Sequence, residues 1–294
     1  MYVDATDLIS SNQGSKDNKQ SDMLIQLNKP AINLEVDFKP KKYLIVCSHE
    51  RSGTHFLMNS ISLNSDYTVD SHLTFDHPAL GDIVNFYFPE NISLFFDYLD
   101  KTTLENKRAY LSSIIKSHHS HHFFRKQFPD ERFIFIYIYR NPMDTLLSFW
   151  KFILRWEWDE GTKAGNPYEF VKSAPEGYLM RYQHKTVENY FTRWAEHQLG
   201  WFEAADNYNN ILCVSYHGLK DDYTNEVGRI LEFMGINAVN VFRKPPKNAY
   251  VKGTEQKLDS VQLNQFRDFV VEALTRFPRL EKLYENQMGK FGSI

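Results

Sequence analysis

The chain has 294 residues, 42% hydrophobic and 15% aromatic, with 23 Phe and 17 Tyr: enough apolar side chain for a substantial core and too much for general disorder. A formal charge of −3 gives no overall attraction to nucleic acid or to an anionic membrane, so any anion site has to be local. Only two cysteines occur, each inside an apolar run ("YLIVCS" around Cys47, "ILCVSY" around Cys213), which excludes a disulfide framework and predicts buried thiols.

In chain order, the opening "MYVDATDLISSNQGSKDNKQ" has no basic start followed by an apolar core, so it does not read as a secretory signal. The polar stretch over 10–22 predicts a flexible leader, taken as residues 1–35, and the absence of a Gly/Ser or Pro-rich linker predicts one domain over 36–294. Tyr43 to Ser48 predicts a strand that runs into "SHERSGTHF", and "GTHFLMNSIS" predicts the helix that follows. A short strand is predicted in "SSIIKS", with Lys116 and His118 just beyond its apolar centre; one residue apart in extended chain, they point the same way. Arg132 to Tyr139 predicts the next strand, leaving through Arg140-Asn141-Pro142 into a helix, "NPMDTLLSFWKFILRW", with proline at its first turn. Then come a helix in "VENYFTRWAEHQLGWFEAA", a strand from Ile211 to Tyr216, and a helix in "NEVGRILEFMG" ending on glycine. No apolar run approaches the roughly 18 residues of a membrane span.

Strands alternating with helices predict an α/β fold: a single domain with a central parallel β-sheet flanked by helices. Ligands in such a fold sit beyond the carboxyl ends of the strands. The groups standing there are the amides and basic side chain of "SHERSGT", Lys116 and His118, and Arg140, with Ser148 eight residues later on the same side of its helix. Each has a plain structural rival: Arg140 alone is an ordinary ion-paired arginine, Ser148 alone an ordinary helix serine, and Asp144 a first-turn helix charge. The "SHHSHH" histidines are set aside as a metal site, because cysteine and carboxylate partners are missing nearby and adjacent histidines in a strand face opposite ways. The stripe "FWKFILRWEW" reads as core, with Phe149, Trp150 and Trp156 as candidate walls of an acceptor pocket.

Taken jointly and in order, "SHERSGTHFL", "IIKSH" and "IYIYRNPMDTLLSFWKF" resemble the cytosolic-type sulfotransferases, which transfer a sulfuryl group from 3′-phosphoadenosine 5′-phosphosulfate (PAPS). The resemblance is strong over about residues 40–150, and "ILCVSYHGLKDDYTNEVGRILEFMG" is similar to the family's last core strand and helix. It implies a P-loop-like fold, PAPS as co-substrate with 3′-phosphoadenosine 5′-phosphate (PAP) as product, and no metal. By the same resemblance Arg51 with Ser52, Gly53, Thr54, His55 and Phe56 would hold the 5′-phosphosulfate, and Arg140 and Ser148 the 3′-phosphate, joined by Lys252 and Gly253 of "VKGT". His118 would be the general base, Lys116 would meet the equatorial sulfuryl oxygens, and Arg51 would meet the leaving oxygen.

The chain departs from the family pattern where Arg51 replaces Lys and Glu50 replaces Pro. The adenine contact has no match in "INAVNVFRKPPKNAY", and the dimer motif is one residue short in "KLDSVQLNQ", which leaves oligomeric state open. A P-loop kinase is disfavoured because the Gly-Lys-Ser/Thr that places Mg²⁺ is absent, while a non-catalytic PAP-binding protein of the same fold stays open. The expectation is a cytoplasmic sulfotransferase acting on a hydroxyl or amine of a small-molecule or glycan acceptor, without nucleic acid and without a membrane span.

Overall fold

Tyr43–Ser48 forms strand β1, and all six of its residues are buried, as a strand covered on both faces requires. The structure, a computed structural model, describes residues 42–74, 85–86, 88, 90–97, 113–155, 159–236, 242–246 and 258–288. All of these lie within the compact unit Pro40–Ile294. The leader expected over 1–35, together with Trp156, Lys252 and Gly253, lies outside the described residues.

The elements that follow are α1 (Thr54–Asn64), β2 (Thr68–Thr74), β3 (Ser113–Ser117), a 3₁₀ turn at His121–Phe124, β4 (Phe133–Tyr139) and α2 (Pro142–Arg155). Then come α3 (Pro167–Lys172), a second 3₁₀ turn at Tyr178–Tyr182, α4 (Tyr190–Asn207), β5 (Ile211–Ser215), α5 (Tyr216–Asp221), α6 (Tyr223–Phe233), α7 (Ser260–Leu274) and α8 (Pro278–Met288). The strands form one five-stranded sheet in the order β2-β3-β1-β4-β5, with every pairing parallel. The four strands expected from their apolar runs are β1, β3, β4 and β5. The fifth, β2, is an edge strand whose sequence, TVDSHLT, lacks the continuous apolar signature of its neighbours.

Alternation along β1 divides the core in two. Tyr43, Ile45 and Cys47 face a layer that includes Phe149 and Ile153 of α2, Trp194 and Trp201 of α4, Phe266 of α7 and Leu280 of α8. Leu44 and Val46 face Leu57, Met58 and Ile61 of α1 and Val227, Ile230 and Leu231 of α6. The first cluster is dense in rings: Trp201 stacks on Tyr137 at 5.3 Å, and Phe135 lies 5.2 Å from Phe124 and 5.1 Å from Phe128 between ring centres. Cys47 and Cys213 are both free thiols, and burial pushes that of Cys213 up to about 12. Among the described residues no helix is long and apolar enough to cross a membrane.

Register decides where the loops emerge. Cys47 lies level with Ser117 of β3 on one side and Tyr137 of β4 on the other, so the chain leaves β1, β3 and β4 along one edge of the sheet. Gly235 closes α6 in the left-handed conformation at φ 70°, the helix end that the glycine of "NEVGRILEFMG" predicts. Because Phe135 is fully buried in the ring cluster, Phe135→Ala is expected to lower unfolding stability by about 3–5 kcal/mol, read from the denaturant midpoint at unchanged slope.

Candidate active site

The loop leaving β1 is tightly folded. Arg51 is left-handed at φ 65° and is the one non-glycine residue with positive φ among the described residues. Gly53 follows at φ 103°, and a Cβ there would lie 2.4 Å from the Tyr216 ring, so both conformation and space demand glycine. Helix α1 opens at Thr54 with no side chain capping it, and its first-turn amides have no intrahelical acceptor. Ser52 Oγ is buried in the same turn without a hydrogen-bond partner. An uncapped helix start beside an orphaned buried hydroxyl fits an anion with several acceptor oxygens.

Three of the predicted cationic and hydroxyl ligands meet here. Arg51 Nε donates to Ser148 Oγ at 3.2 Å, with its guanidinium 5.1 Å from the Phe152 ring centre. Arg140 Nη1 donates to the Arg51 carbonyl at 3.4 Å and its guanidinium covers the Tyr216 ring at 4.4 Å. Ser148 therefore bonds Arg51, whereas the resemblance pairs it with Arg140 on the 3′-phosphate. Arg140 is held by Asp144 at 3.2 Å, one helical turn on. Burial raises the Asp144 carboxyl, but His217, Arg140 and Asn141 outweigh it and hold the group at about 2. No carboxylate among the described residues pairs with Arg51, whose pKa is pulled below its ordinary value by burial and by the neighbouring Arg140 and Arg155 charges. Positive charge is thus concentrated where the helix start also favours an anion.

His118 follows β3 at the same edge. Its Nδ1 lies 2.9 Å from the Ser48 carbonyl, which can only accept, so the proton sits on Nδ1 and the lone pair on Nε2. Ser48 Oγ lies 3.1 Å from the same nitrogen and 2.6 Å from Thr54 Oγ1. One serine therefore joins the imidazole to the first residue of α1. Lys116, half-buried near the end of β3, lies level with Val46 of β1. His119 turns the other way: it is fully buried and stacks on Phe123 at 3.9 Å. His55 is exposed on α1, and Phe56 packs between Tyr216 at 6.2 Å and Tyr223 at 6.1 Å. Phe149 and Trp150 are core residues, 0% and 2% exposed.

Sequence reasoning treated Glu50 as a mere departure and passed over Arg193 altogether. Folded, they form a buried bidentate ion pair, Arg193 Nη1 to Glu50 Oε2 at 2.7 Å and Nη2 to Oε1 at 2.6 Å. Burial raises the Glu50 carboxyl, but Arg193 with its neighbours brings it well below the usual carboxylate range. Arg193 Nη1 also donates to His49 Nε2 at 2.8 Å, while His49 Nδ1 donates to the Glu50 carbonyl at 3.0 Å. One turn along α4, His197 Nε2 donates to the His118 carbonyl at 3.2 Å and its Nδ1 accepts from the Tyr137 hydroxyl at 3.0 Å. Both imidazoles are neutral by hydrogen-bond logic; burial holds His49 down at about 3 and His197 well below its ordinary value. The available signal was an arginine inside the apolar stretch "YFTRWA", a position that has to bury its charge.

His121, His122 and His184 gather at a cleft of about 250 Å³ beyond Ser120. The His122 and His184 rings stack at 3.7 Å, and among the described residues no group of three or more His, Cys, Asp or Glu is arranged to hold a metal.

A parallel sheet with an anion-binding helix start at its carboxyl edge defines a nucleotide-binding class of α/β protein. Residues 41–278 match the family described as "Sulfotransferase domain", and the chain belongs to it. It is 21% identical over 210 residues to cytosolic sulfotransferase 6 of Arabidopsis thaliana, covering 69% of this chain and 59% of that protein. It is 28% identical over 145 residues to an amine sulfotransferase of Oryctolagus cuniculus, covering 48% and 42%. The chain thus spans about half the length of the curated relatives it matches. Among solved structures, a mouse sulfotransferase complexed with PAP superposes with a TM-score of 0.53 at 19% identity, over 84% of this chain and 89% of that one. A sulfotransferase from Alicyclobacillus acidocaldarius gives 0.50 at 14% identity, over 84% and 96%. The fold is the P-loop-like sulfotransferase fold.

Two consequences are measurable. Gly53→Ala forces a side chain into the Tyr216 ring at positive φ; anion binding at the loop is expected to be lost, measured by calorimetric titration with PAP, with a stability loss of at least about 1 kcal/mol. The second is pH dependence. Below His49's ordinary 6.5 the unfolded chain takes up a proton that the buried ring accepts only near 3, so folding stability declines as pH falls across that window. His197 adds in the same direction, each contributing up to about 1.4 kcal/mol per pH unit. Denaturant midpoints at constant ionic strength should therefore drop steadily from pH 7 to pH 4.

Proposed function

We propose that the chain is a PAPS-dependent sulfotransferase that transfers the sulfuryl group to a hydroxyl or amine of a small-molecule or glycan acceptor in the cytoplasm. The observation that carries this reading is the double use of Ser48: its carbonyl sets the tautomer of His118 while its hydroxyl bonds the first residue of the anion-binding helix. Base and anion loop are thereby tied at one point.

In this reading the amides from Ser52 to Phe56 and the Arg51 guanidinium hold the 5′-phosphosulfate, with the orphaned Ser52 hydroxyl supplying a donor. Arg140 and Ser148, with Lys252 and Gly253, hold the 3′-phosphate, and the Arg51–Ser148 bond yields when that phosphate arrives. The Nε2 lone pair of His118 takes the acceptor's proton as the acceptor oxygen bonds sulfur and the bond from sulfur to the phosphate oxygen breaks. Lys116 neutralises the equatorial sulfuryl oxygens and Arg51 the departing oxygen. Arg51 keeps its proton, so its help is electrostatic. Likeness to sulfotransferases supports the reaction class, and an amine sulfotransferase among the relatives supports an amine acceptor.

PAP is expected to raise the melting temperature by several degrees while ATP with Mg²⁺ does not, because the second anion grip is placed for a 3′-phosphate. Equal stabilisation by both ligands overturns the cofactor assignment. With a hydroxyl acceptor, His118→Ala is expected to reduce turnover roughly a hundredfold or more at near-parent PAP affinity, measured by sulfuryl transfer from radiolabelled PAPS. Near-parent turnover in that variant moves the base elsewhere.

A further inference from the structure

Helix α4 meets the exits of β1, β3 and β4 through three buried side chains. Arg193 holds Glu50 and His49 in the loop after β1, at 2.6–2.8 Å. His197, one turn on, donates to the His118 carbonyl after β3 at 3.2 Å. Gln198, the next residue, donates Nε2 to the Arg140 carbonyl after β4 at 2.9 Å. Arg193 and His197, four apart, share a helix face, and Gln198 lies about 100° further round, so the buried side of a single rigid rod touches the loop carrying Arg51, the base and the second anion grip. The rod is itself fixed. Tyr284 of α8 donates its hydroxyl to Gln198 Oε1 at 2.7 Å, which orients the amide so that nitrogen faces Arg140. The Tyr137 hydroxyl does the same for His197, leaving Nε2 as the donor.

These contacts go to backbone carbonyls, or to Glu50 and His49, and none goes to the groups assigned to ligand. All three side chains are buried or nearly so: Arg193 is 3% exposed, His197 5% and Gln198 0%. Each of the three exits is irregular backbone, which the sheet ladder no longer holds once the strand ends; Arg51, at φ 65°, is in a conformation that persists only where its surroundings impose it.

We propose that Arg193, His197 and Gln198 are positioning residues: α4 sets the separation between the phosphosulfate loop, the base and the 3′-phosphate grip. This rests on the sulfotransferase reading above. It assigns a division of labour along one helix, His197 serving the chemical step through His118 and Gln198 serving nucleotide affinity through Arg140.

The test is the split between kcat and PAP affinity in neighbouring variants of the full chain. His197→Leu is expected to lower kcat roughly ten- to hundredfold, with a much smaller change in the PAP dissociation constant. Gln198→Leu is expected to raise that dissociation constant about tenfold, with a smaller effect on kcat than His197→Leu. His197→Phe and Gln198→Met, which also remove the hydrogen bond, replace any leucine variant that does not fold, and the same split is expected of them. Arg193→Lys, which keeps the charge and loses the bidentate fork, should impair both quantities. Helix packing alone would lower the melting temperature in each variant without separating the two parameters. The proposal is overturned if the His197 and Gln198 variants lose only melting temperature, or lose kcat and affinity in the same proportion. A parent protein that binds no PAP overturns the cofactor reading before any variant is made, and this inference with it.

Discussion

The buried pair between Glu50 and Arg193 is the interaction on which the site depends. Taking two charges out of water costs several kcal/mol per ion, so the pair adds little net stability. Its geometry is what matters: two parallel bonds at 2.6 and 2.7 Å, with a third from the same guanidinium to His49, hold Glu50 in one place. Glu50 immediately precedes Arg51, whose left-handed backbone aims its side chain at Ser148. Removing either partner leaves a buried charge without compensation, a loss of about 3–5 kcal/mol, so the loop cannot relax without disturbing the core beneath it. The pair trades desolvation for a single conformation.

Charge and neutrality are distributed by depth. At the sheet edge Arg51 and Arg140 face each other, with Asp144 compensating only Arg140, so the positive field points at the uncapped start of α1. Beneath it His49 and His197 are neutral, each with one nitrogen donating to a carbonyl and the other accepting, from Arg193 and from Tyr137. His118 uses the same device at the boundary between the two zones: its Nδ1 is spent on the Ser48 carbonyl, which keeps the lone pair on Nε2. Three histidines thus each give one ring nitrogen to a backbone carbonyl.

The histidine group beyond Ser120 shows the opposite outcome of clustering. His121, His122 and His184 lie ring against ring, and Nδ1 of both His121 and His122 is buried without a partner.

The sequence by itself determined four of the five strands and the sheet edge where the candidate residues stand, because both are written in local patterns. Continuous apolar runs mark β1, β3, β4 and β5, since a strand buried on both faces has no polar side to hide. Glycine at Gly53 and proline at Pro142 are visible because backbone conformation demands those residue types there. Edge strand β2 escaped because one unpaired flank tolerates polar residues, and α3 and α5 because helices of six residues are too short to show a period. Arg51, Arg140, Ser148 and His118 were legible as a set only through their order along the chain. What tertiary structure alone decided is how they are held: that Ser148 meets Arg51, that Glu50 finds Arg193 143 residues away, and that His197 and Gln198 carry the carbonyls of His118 and Arg140. Those contacts join residues far apart in the chain through single side chains, and a buried ion pair leaves no periodicity in sequence, because it satisfies a local cost with a distant partner.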